Sequence, residues 1–317
     1  MKRLFLLALF CCIASLAQAQ GGKATRIFVG FPAGQATDLI ARLLAERLGP
    51  ALGETIIVEN RPGQGGSAVL AQLARMQPDG ASMALAPLAS MVVNPHLYKS
   101  VGYDTLKHLD HAALVADLPL LLVVNPSLPV KTLPELIAYA RANPDKLSHS
   151  SSGIGTLSHL GMEELKRRAG ISMLHVPYQG SPRAMADLAG GVVQVALDTI
   201  TVTRPLVEAG TLRLLASAYG TRLPDFADTP TIAEQGFPGF HLSAWLGIVV
   251  PTGTPKTRVE RLSAEFVKIV QTAEIASKYA TLGALPRVMS TADFHPFVEA
   301  EFVRWGGIVQ AAGTKLE

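Results

Sequence analysis

The sequence carries one α/β pattern twice, and this repetition limits the fold more than any other feature. A strand, a small-residue loop, a threonine, an amphipathic helix and a glycine follow one another at Ile27–Gly49 and again at Leu147–Gly170. The segments downstream correspond in the same order: IIVENRPG with MLHVPYQG, the helix from Ser67 with the helix from Ser181, and SMALAP with VQVALD. Four corresponding elements in one order predict a β-α-β-α-β unit used twice, once per lobe. Such runs imply parallel strands joined by right-handed crossovers.

In the first unit, Arg26–Val29 reads as strand one. The helix DLIARLLAERLGPAL sets Leu39, Leu43, Leu44 and Leu48 in an apolar stripe against Arg42, Glu46 and Arg47, with Thr37 or Asp38 as its cap. Strands follow at Thr55–Val58 and Ser82–Ala86, with a helix at Ser67–Met76 between them. The glycine-rich stretch Gly63–Ser67 lacks the Lys-Ser/Thr ending of a phosphate loop and reads as a tight turn. Further strands are expected at Leu118–Val124, Leu147–Ser151, Met173–Val176, Val192–Leu197, Leu212–Ala218 and Leu242–Val250. Helices close the chain at Lys256–Gln271, Ala273–Leu282 and Thr291–Ala312. If Leu118–Val124 carries the chain out of the first lobe and Leu242–Val250 brings it back, lobe one is 21–117 plus 243–317 and lobe two is 118–242. The expectation is an α/β fold of two lobes, a parallel-dominated sheet in each, and a two-strand hinge suited to closure on a ligand.

Residues 1–20 read as an export signal. Lys2 and Arg3 precede the apolar run Leu4–Ile13, and Ala17-Gln18-Ala19 is a cleavage site, so the product is expected in the periplasm with its signal removed near Ala19. Both cysteines, Cys11 and Cys12, lie inside that signal. Thiol nucleophiles, disulfides and Cys-ligated metals are thereby excluded from the mature chain. Taking Lys2 and Arg3 from the 28 basic residues leaves 26 against 25 acidic ones, a balance that gives no support for a nucleic-acid partner. The His residues are scattered along the chain without metal-ligand spacing, and no cofactor motif is present.

In open α/β sheets ligands bind beyond the carboxyl ends of the strands. The loops Phe31–Thr37 and Ser151–Thr156 lie there, each leading into a helix whose first N–H groups lack intrahelical partners and carry partial positive charge. Facing each other, they would hold a small anion from two sides. The expected donors are the N–H groups of Ala33, Gly34, Gln35, Gly155 and Thr156 and the hydroxyls of Thr37, Ser152 and Thr156. Phe31, Ser90, Tyr178 and Asp198 would wall the pocket, and Asp198 would receive an ammonium group or restrict the ligand's charge. His159, one turn into its helix, has capping or packing as the alternative to ligand contact. Nothing here is catalytic: no G-x-S-x-G elbow occurs, and Ser158 and His159 are neighbours on a helix and point apart. A secreted hydrolase using Ser158, His159 and Asp198 is the alternative in another class.

FPAGQATDLIARLLAERLG, VENRPGQGGSAVLAQLA, SSGIGTLSHLGMEEL, VPYQGSPRAMADLAGG and PTIAEQGFPGFHLSAWLGIVVPTGTP together resemble the Bug family, the extracytoplasmic solute receptors of tripartite tricarboxylate transporters. The resemblance spans nearly the whole mature chain. It implies a type II-like periplasmic binding-protein fold, without enzymatic activity, that closes as a monomer on a small organic acid or amino acid. It implies membrane permease subunits as partners; a receptor of the same fold serving a sensor is the alternative. In the family the carboxylate is held by the two loops that match Phe31–Thr37 and Ser151–Thr156. Gln35 departs from the pattern, which usually has a second Gly there, and its side chain is expected to narrow the cleft or offer an amide.

Overall fold

In the computed structural model, residues 24–313 are described, and the export signal read at 1–20 lies outside them. Eleven strands among these residues form two sheets. The first unit contributes β1 (Thr25–Val29), β2 (Ile56–Asn60) and β3 (Ser82–Pro87), linked by α1 (Ala36–Leu52) and α2 (Ser67–Leu73). A π-turn at Ala89–Val93 and one α-turn at Asn94–Leu97 then lead to β4 (Leu109–Asp117) and β5 (Leu120–Val124). After α3 (Leu133–Ala142), the second unit runs through β6 (Ser148–Ser151), α4 (Leu157–Ala169), β7 (Leu174–Pro177), α5 (Ser181–Ala189), β8 (Val195–Thr199), α6 (Ile200–Glu208) and β9 (Arg213–Ser217). The chain closes with β10 (Leu246–Pro251), α7 (Lys256–Val270), α8 (Ala273–Thr281), β11 (Leu285–Met289) and α9 (Thr291–Ala311).

The repeat is expressed directly in the strand order. One sheet reads β11-β4-β10-β3-β1-β2 and the other β7-β6-β8-β5-β9. Each contains the same parallel trio, with the first strand of the unit between its second and third. The sheets are mixed, however, and not parallel-dominated. Next to the trio, β10 pairs antiparallel with β3 and β4, and β5 pairs antiparallel with β8 and β9. The reason is connectivity: β5 and β10 are the strands by which the chain changes sheets, and a strand entering from the far lobe runs against the trio it joins.

The chain changes sheets at two adjacent places. Leu118-Pro119 separates β4 from β5, so the run expected as one strand from Leu118 is broken there. Ser243-Ala244 precede β10, which starts at Leu246 and not at Leu242. Pro119 and Ser243 form an antiparallel bridge, and the Ala244 N–H donates to the Leu118 carbonyl at 3.0 Å. The crossing is thus a two-strand ribbon.

Apolar packing explains why the lobes hold their form. Ile27 and Val29 on one face of β1 pack with Ile40, Leu44 and Leu48 of α1 and with Leu262 and Phe266 of α7. Phe28, on the other face, belongs to a core that continues through Trp245 at the crossing to Leu160 and Leu197 of the second lobe. Leu39 is 39% exposed and so stands outside the stripe expected of it. α1 stops where Gly53 takes a left-handed conformation at φ 70°, its N–H returning to the Gly49 carbonyl.

Candidate functional site

The loop after β1 is held by its own helix. Gly34 sits at φ +84°, and its N–H donates to Asp38 Oδ2 at 2.8 Å. Asp38 is buried and also receives Arg42 Nε at 3.1 Å and Asn60 Nδ2 at 2.9 Å. The same Asn60 amide donates to the Phe31 carbonyl at 3.0 Å, tying the loop to the end of β2. Burial raises the Asp38 carboxyl, but Arg42, the Gly34 N–H and Asn60 outweigh it and hold the group below the usual carboxylate range. Gln35 occupies the cap position without a side-chain cap bond, so neither Thr37 nor Asp38 is the cap. Asp38 instead reaches back from inside the helix, as an acidic residue at the third helical position can.

The loop after β6 repeats this device with different chemistry. Gly155 sits at φ +76°, and its N–H donates to His159 Nδ1 at 3.1 Å. Gly34 and Asp38 therefore correspond to Gly155 and His159, Gln35 to Thr156, and Thr37 to Ser158. Ser158 is buried at the centre of the loop. Its Oγ accepts the Ser152 N–H at 2.9 Å and lies 2.9 Å from both Ser152 Oγ and Thr156 Oγ1. Thr156 Oγ1 also donates to the Gly153 carbonyl at 2.7 Å.

Beneath this loop, three imidazoles stack. His159 lies 4.0 Å from His175 at 13°, and His175 lies 4.9 Å from His149 at 17°. His175 Nε2 hydrogen-bonds Ser151 Oγ at 2.7 Å. Glu163 Oε1 faces the stack, 3.3 Å from His149 Nε2 and 3.8 Å from His159 Nε2, and accepts from Lys166 Nζ at 2.7 Å. Burial, reinforced by the neighbouring imidazoles, pushes His175 down to about 3. Burial is also the main cause of the lowering at His159 and His149. Glu163 is held down at about 2, because the bonds from His149 and Lys166 outweigh its burial. Among the described residues no group of three or more His, Asp or Glu is arranged to hold a metal ion.

The expected site residues divide accordingly. Ala33, Gly34 and Gln35 are exposed, and Thr37 is buried. The Phe31 ring and Ser90 both lie against Gly66, where an added Cβ would fall 3.1 Å from Phe31 Cε2 and 3.4 Å from Ser90 Oγ. Ser90 itself is fully buried and donates to the Pro87 carbonyl. In lobe two, the N–H groups of Tyr178 and Gly180 donate to the Ser151 and Ser152 carbonyls, bringing that loop beside Ser152, Gly155, Thr156 and His159. The Tyr178 hydroxyl is engaged by Asp187 at 2.8 Å, and burial with this carboxylate pushes the phenol up to about 12. Asp198 shares the face of β8 that Ala196 turns towards α5. Its Oδ1 accepts the Thr199 N–H at 2.7 Å, Oδ2 is buried without a partner, and burial pushes the carboxyl up to about 6.

Four N–H groups expected to reach a ligand are already used inside their loops: those of Gly34 and Gly155 by their clasps, that of Gln35 by the Pro32 carbonyl at 3.5 Å and that of Thr156 by the Gly153 carbonyl at 3.2 Å. By position, the N–H groups free of intrahelical acceptors are those of the first turns, Ala36–Asp38 and Leu157–His159. The lobe-two loop also meets the first sheet's lobe. Gly155 packs on Leu97 of the other lobe so closely that an added Cβ would fall 1.9 Å from Leu97 Cδ2. Sequence reasoning missed Asp38 as the loop's clasp, Ser158, and the stack of His149, His175 and Glu163. The i,i+4 spacing of His159 and Glu163 and the two-residue spacing of His149 and Ser151 on a strand were the available signals.

The geometry does not form a Ser-His-Asp relay. Ser158, His159 and Asp198 bond to three different loop groups and not to each other. A serine–histidine pair does occur at Ser151 and His175, but Ser151 is 1% exposed and its hydroxyl is tied to Gly153.

Known proteins can be set beside this geometry. Residues 40–314 match the tripartite tricarboxylate transporter family receptor. Protein BugT of Bordetella pertussis is 33% identical over 293 residues, covering 92% of this chain and 90% of that protein. The solved structure of R. palustris Rpa4515 with adipate is 33% identical with a TM-score of 0.83, covering 92% of this chain and 98% of that one. MatC from Rhodopseudomonas palustris with bound malate is 29% identical with a TM-score of 0.77, covering 90% and 99%. The two-lobed architecture found here is that of periplasmic binding proteins.

Proposed function

The chain belongs to the tripartite tricarboxylate transporter receptor family, and on that premise we propose that it captures a small organic carboxylate between its lobes and hands it to the membrane subunits of a tripartite transporter. The observation that carries this reading is the matched pair of clasped loops, Gly34 on Asp38 and Gly155 on His159, each lying between the first strand of its unit and the first turn of the following helix. Adipate and malate in two similar proteins support a carboxylate as the ligand class. On this reading the protein acts in the periplasm as a single copy. Lobe one (21–117 plus 243–317) and lobe two (118–242) close about the crossing at Leu118-Pro119 and Ser243-Ala244. The helix first turns, with Thr37, Ser152 and Thr156, grip the carboxylate. Gln35, exposed on its loop, selects among acids, and Asp198 sets which charge the far end of the ligand carries.

Thermal unfolding with dicarboxylates of graded length, hydroxy acids and acidic amino acids tests the reading. At a hundredfold excess over Kd a ligand stabilises the native state by about 2.7 kcal/mol, so at least one acid should raise Tm clearly. A panel without any such acid overturns the proposal. The same panel on Gln35→Gly should show a reordered preference.

A further inference from the structure

The two clasps differ in one respect that bears on release. In lobe one the Gly34 N–H is held by a carboxylate already paired with Arg42 and Asn60. In lobe two the Gly155 N–H is held by a ring nitrogen of His159. An imidazole accepts at Nδ1 only when that nitrogen carries no proton; imidazolium is a donor at both positions. Gly155 therefore fixes the tautomer: Nδ1 is bare and the proton sits on Nε2, towards Glu163. The groups facing His159 are Glu163 and Lys166 from α4, His175 from β7 and His149 from β6. His175 in turn holds Ser151, whose hydroxyl bonds to both the N–H and the carbonyl of Gly153. Each end of the loop thus rests on one ring of the stack. Glu163, the one carboxylate at the stack among the described residues, is shared with Lys166, so a second proton entering the stack would meet like charge at 4.0 to 4.9 Å.

We propose that His159, backed by the stacked rings of His175 and His149, is the positioning residue of the lobe-two loop, and that acid opens the loop by taking away the acceptor that holds Gly155. Protonation turns Nδ1 from acceptor to donor, the Gly155 N–H loses its partner, and the Gly153–Thr156 segment no longer presents the first turn of α4 to the cleft in one conformation. The lobe-one clasp survives to lower pH, because Asp38 is held below the usual carboxylate range. The consequence for binding rests on the carboxylate-receptor reading above.

The test separates the two. In the full-length protein without added acid, the Gly155 amide and the His159 ring are followed by NMR from pH 7.5 to 4. The amide should shift with the same midpoint as the ring, below the ordinary histidine value. In His159→Gln, whose side-chain carbonyl accepts from Gly155 at any pH, that shift should vanish while far-UV circular dichroism stays native. Adipate and malate affinities are then measured by calorimetry at pH 7.5 and 5. Because both acids also take up protons in this range, the readout is the ratio of Kd at the two pH values, variant against parent. The ratio should fall by about tenfold in the variant, the equivalent of one hydrogen bond. A Gly155 amide that ignores the titration of His159, or an unchanged Kd ratio in the variant, overturns the inference. A coupled amide together with no binding of either acid at either pH upholds the loop mechanism and counts against the receptor reading instead.

Discussion

Gly34 and Gly155 hold equivalent positions with equivalent backbones, yet their surroundings differ. A Cβ on Gly34 meets nothing within 4 Å, while one on Gly155 would collide with Leu97. Gly34→Ala should therefore cost only the left-handed backbone penalty, about 1 kcal/mol. Gly155→Ala should cost that and the displacement of a packed leucine, about 3 kcal/mol together. Urea unfolding of both variants checks this, and equal losses would mean that Leu97 does not seat against the loop. At this scale Gly34 and Gly155 were legible as turn residues and Thr156 as a helix start, because those preferences are local, whereas Gln35 and not Thr37 takes the cap position of α1. The clasps were not legible. Asp38 reads equally well as a cap, and His159 as a packing residue, until the bond to the preceding glycine is seen.

At the scale of elements, β4 and α9 meet through two histidines. His111 on β4 is 2% exposed, its Nδ1 lies 2.8 Å from Nδ1 of His295 on α9, and its Nε2 is buried without a partner. Burial, and then the His295 ring, push it down to about 3. The unfolded chain therefore takes up this proton first. The native state keeps its full stability above about pH 6.5 and loses it as pH falls from there towards 3, by up to about 1.4 kcal/mol per pH unit for each such histidine. Urea midpoints should fall steadily between pH 7 and 4.5, and His111→Phe should make that decline shallower. β4 escaped the sequence reading because LDHAALVAD places Asp110 and His111 ahead of its apolar run and lacks the alternation of a half-buried strand. It is nearly all buried because it lies inside the sheet, between β10 and β11. β11 was missed because it is a partly exposed edge strand wedged between two helices.

Over the whole molecule, the crossing between the sheets carries a buried ion pair. Asp117 ends β4 just before the crossing and is fully buried. It pairs with Arg287 of β11 at 3.2 Å and accepts from the Tyr219 hydroxyl of the other lobe at 2.9 Å. Lobe two also leans on lobe one where the Thr201 hydroxyl donates to the Leu282 carbonyl beside Gly283. Arg287→Ala should cost about 3 kcal/mol, because it strands a buried carboxylate. Tyr219→Phe should cost about 1 kcal/mol, because Asp117 keeps its cation. Chemical denaturation of the two variants measures the difference, and a larger loss for Tyr219→Phe would make the interlobe bond the dominant partner of Asp117.

What the sequence determined by itself is the repeat: two β-α-β-α-β units, the loops at their strand ends, and helices that must bury one face. These follow from periodicity and turn chemistry, which act between residues close in the chain. The tertiary structure decided the antiparallel strands that complete each sheet, the closed pairing of Gly34 with Asp38 and Gly155 with His159, and the assembly of His149, His159 and His175. Those rest on contacts between residues brought from different strands and helices, or on which of several local partners a side chain takes once the surrounding core has excluded water.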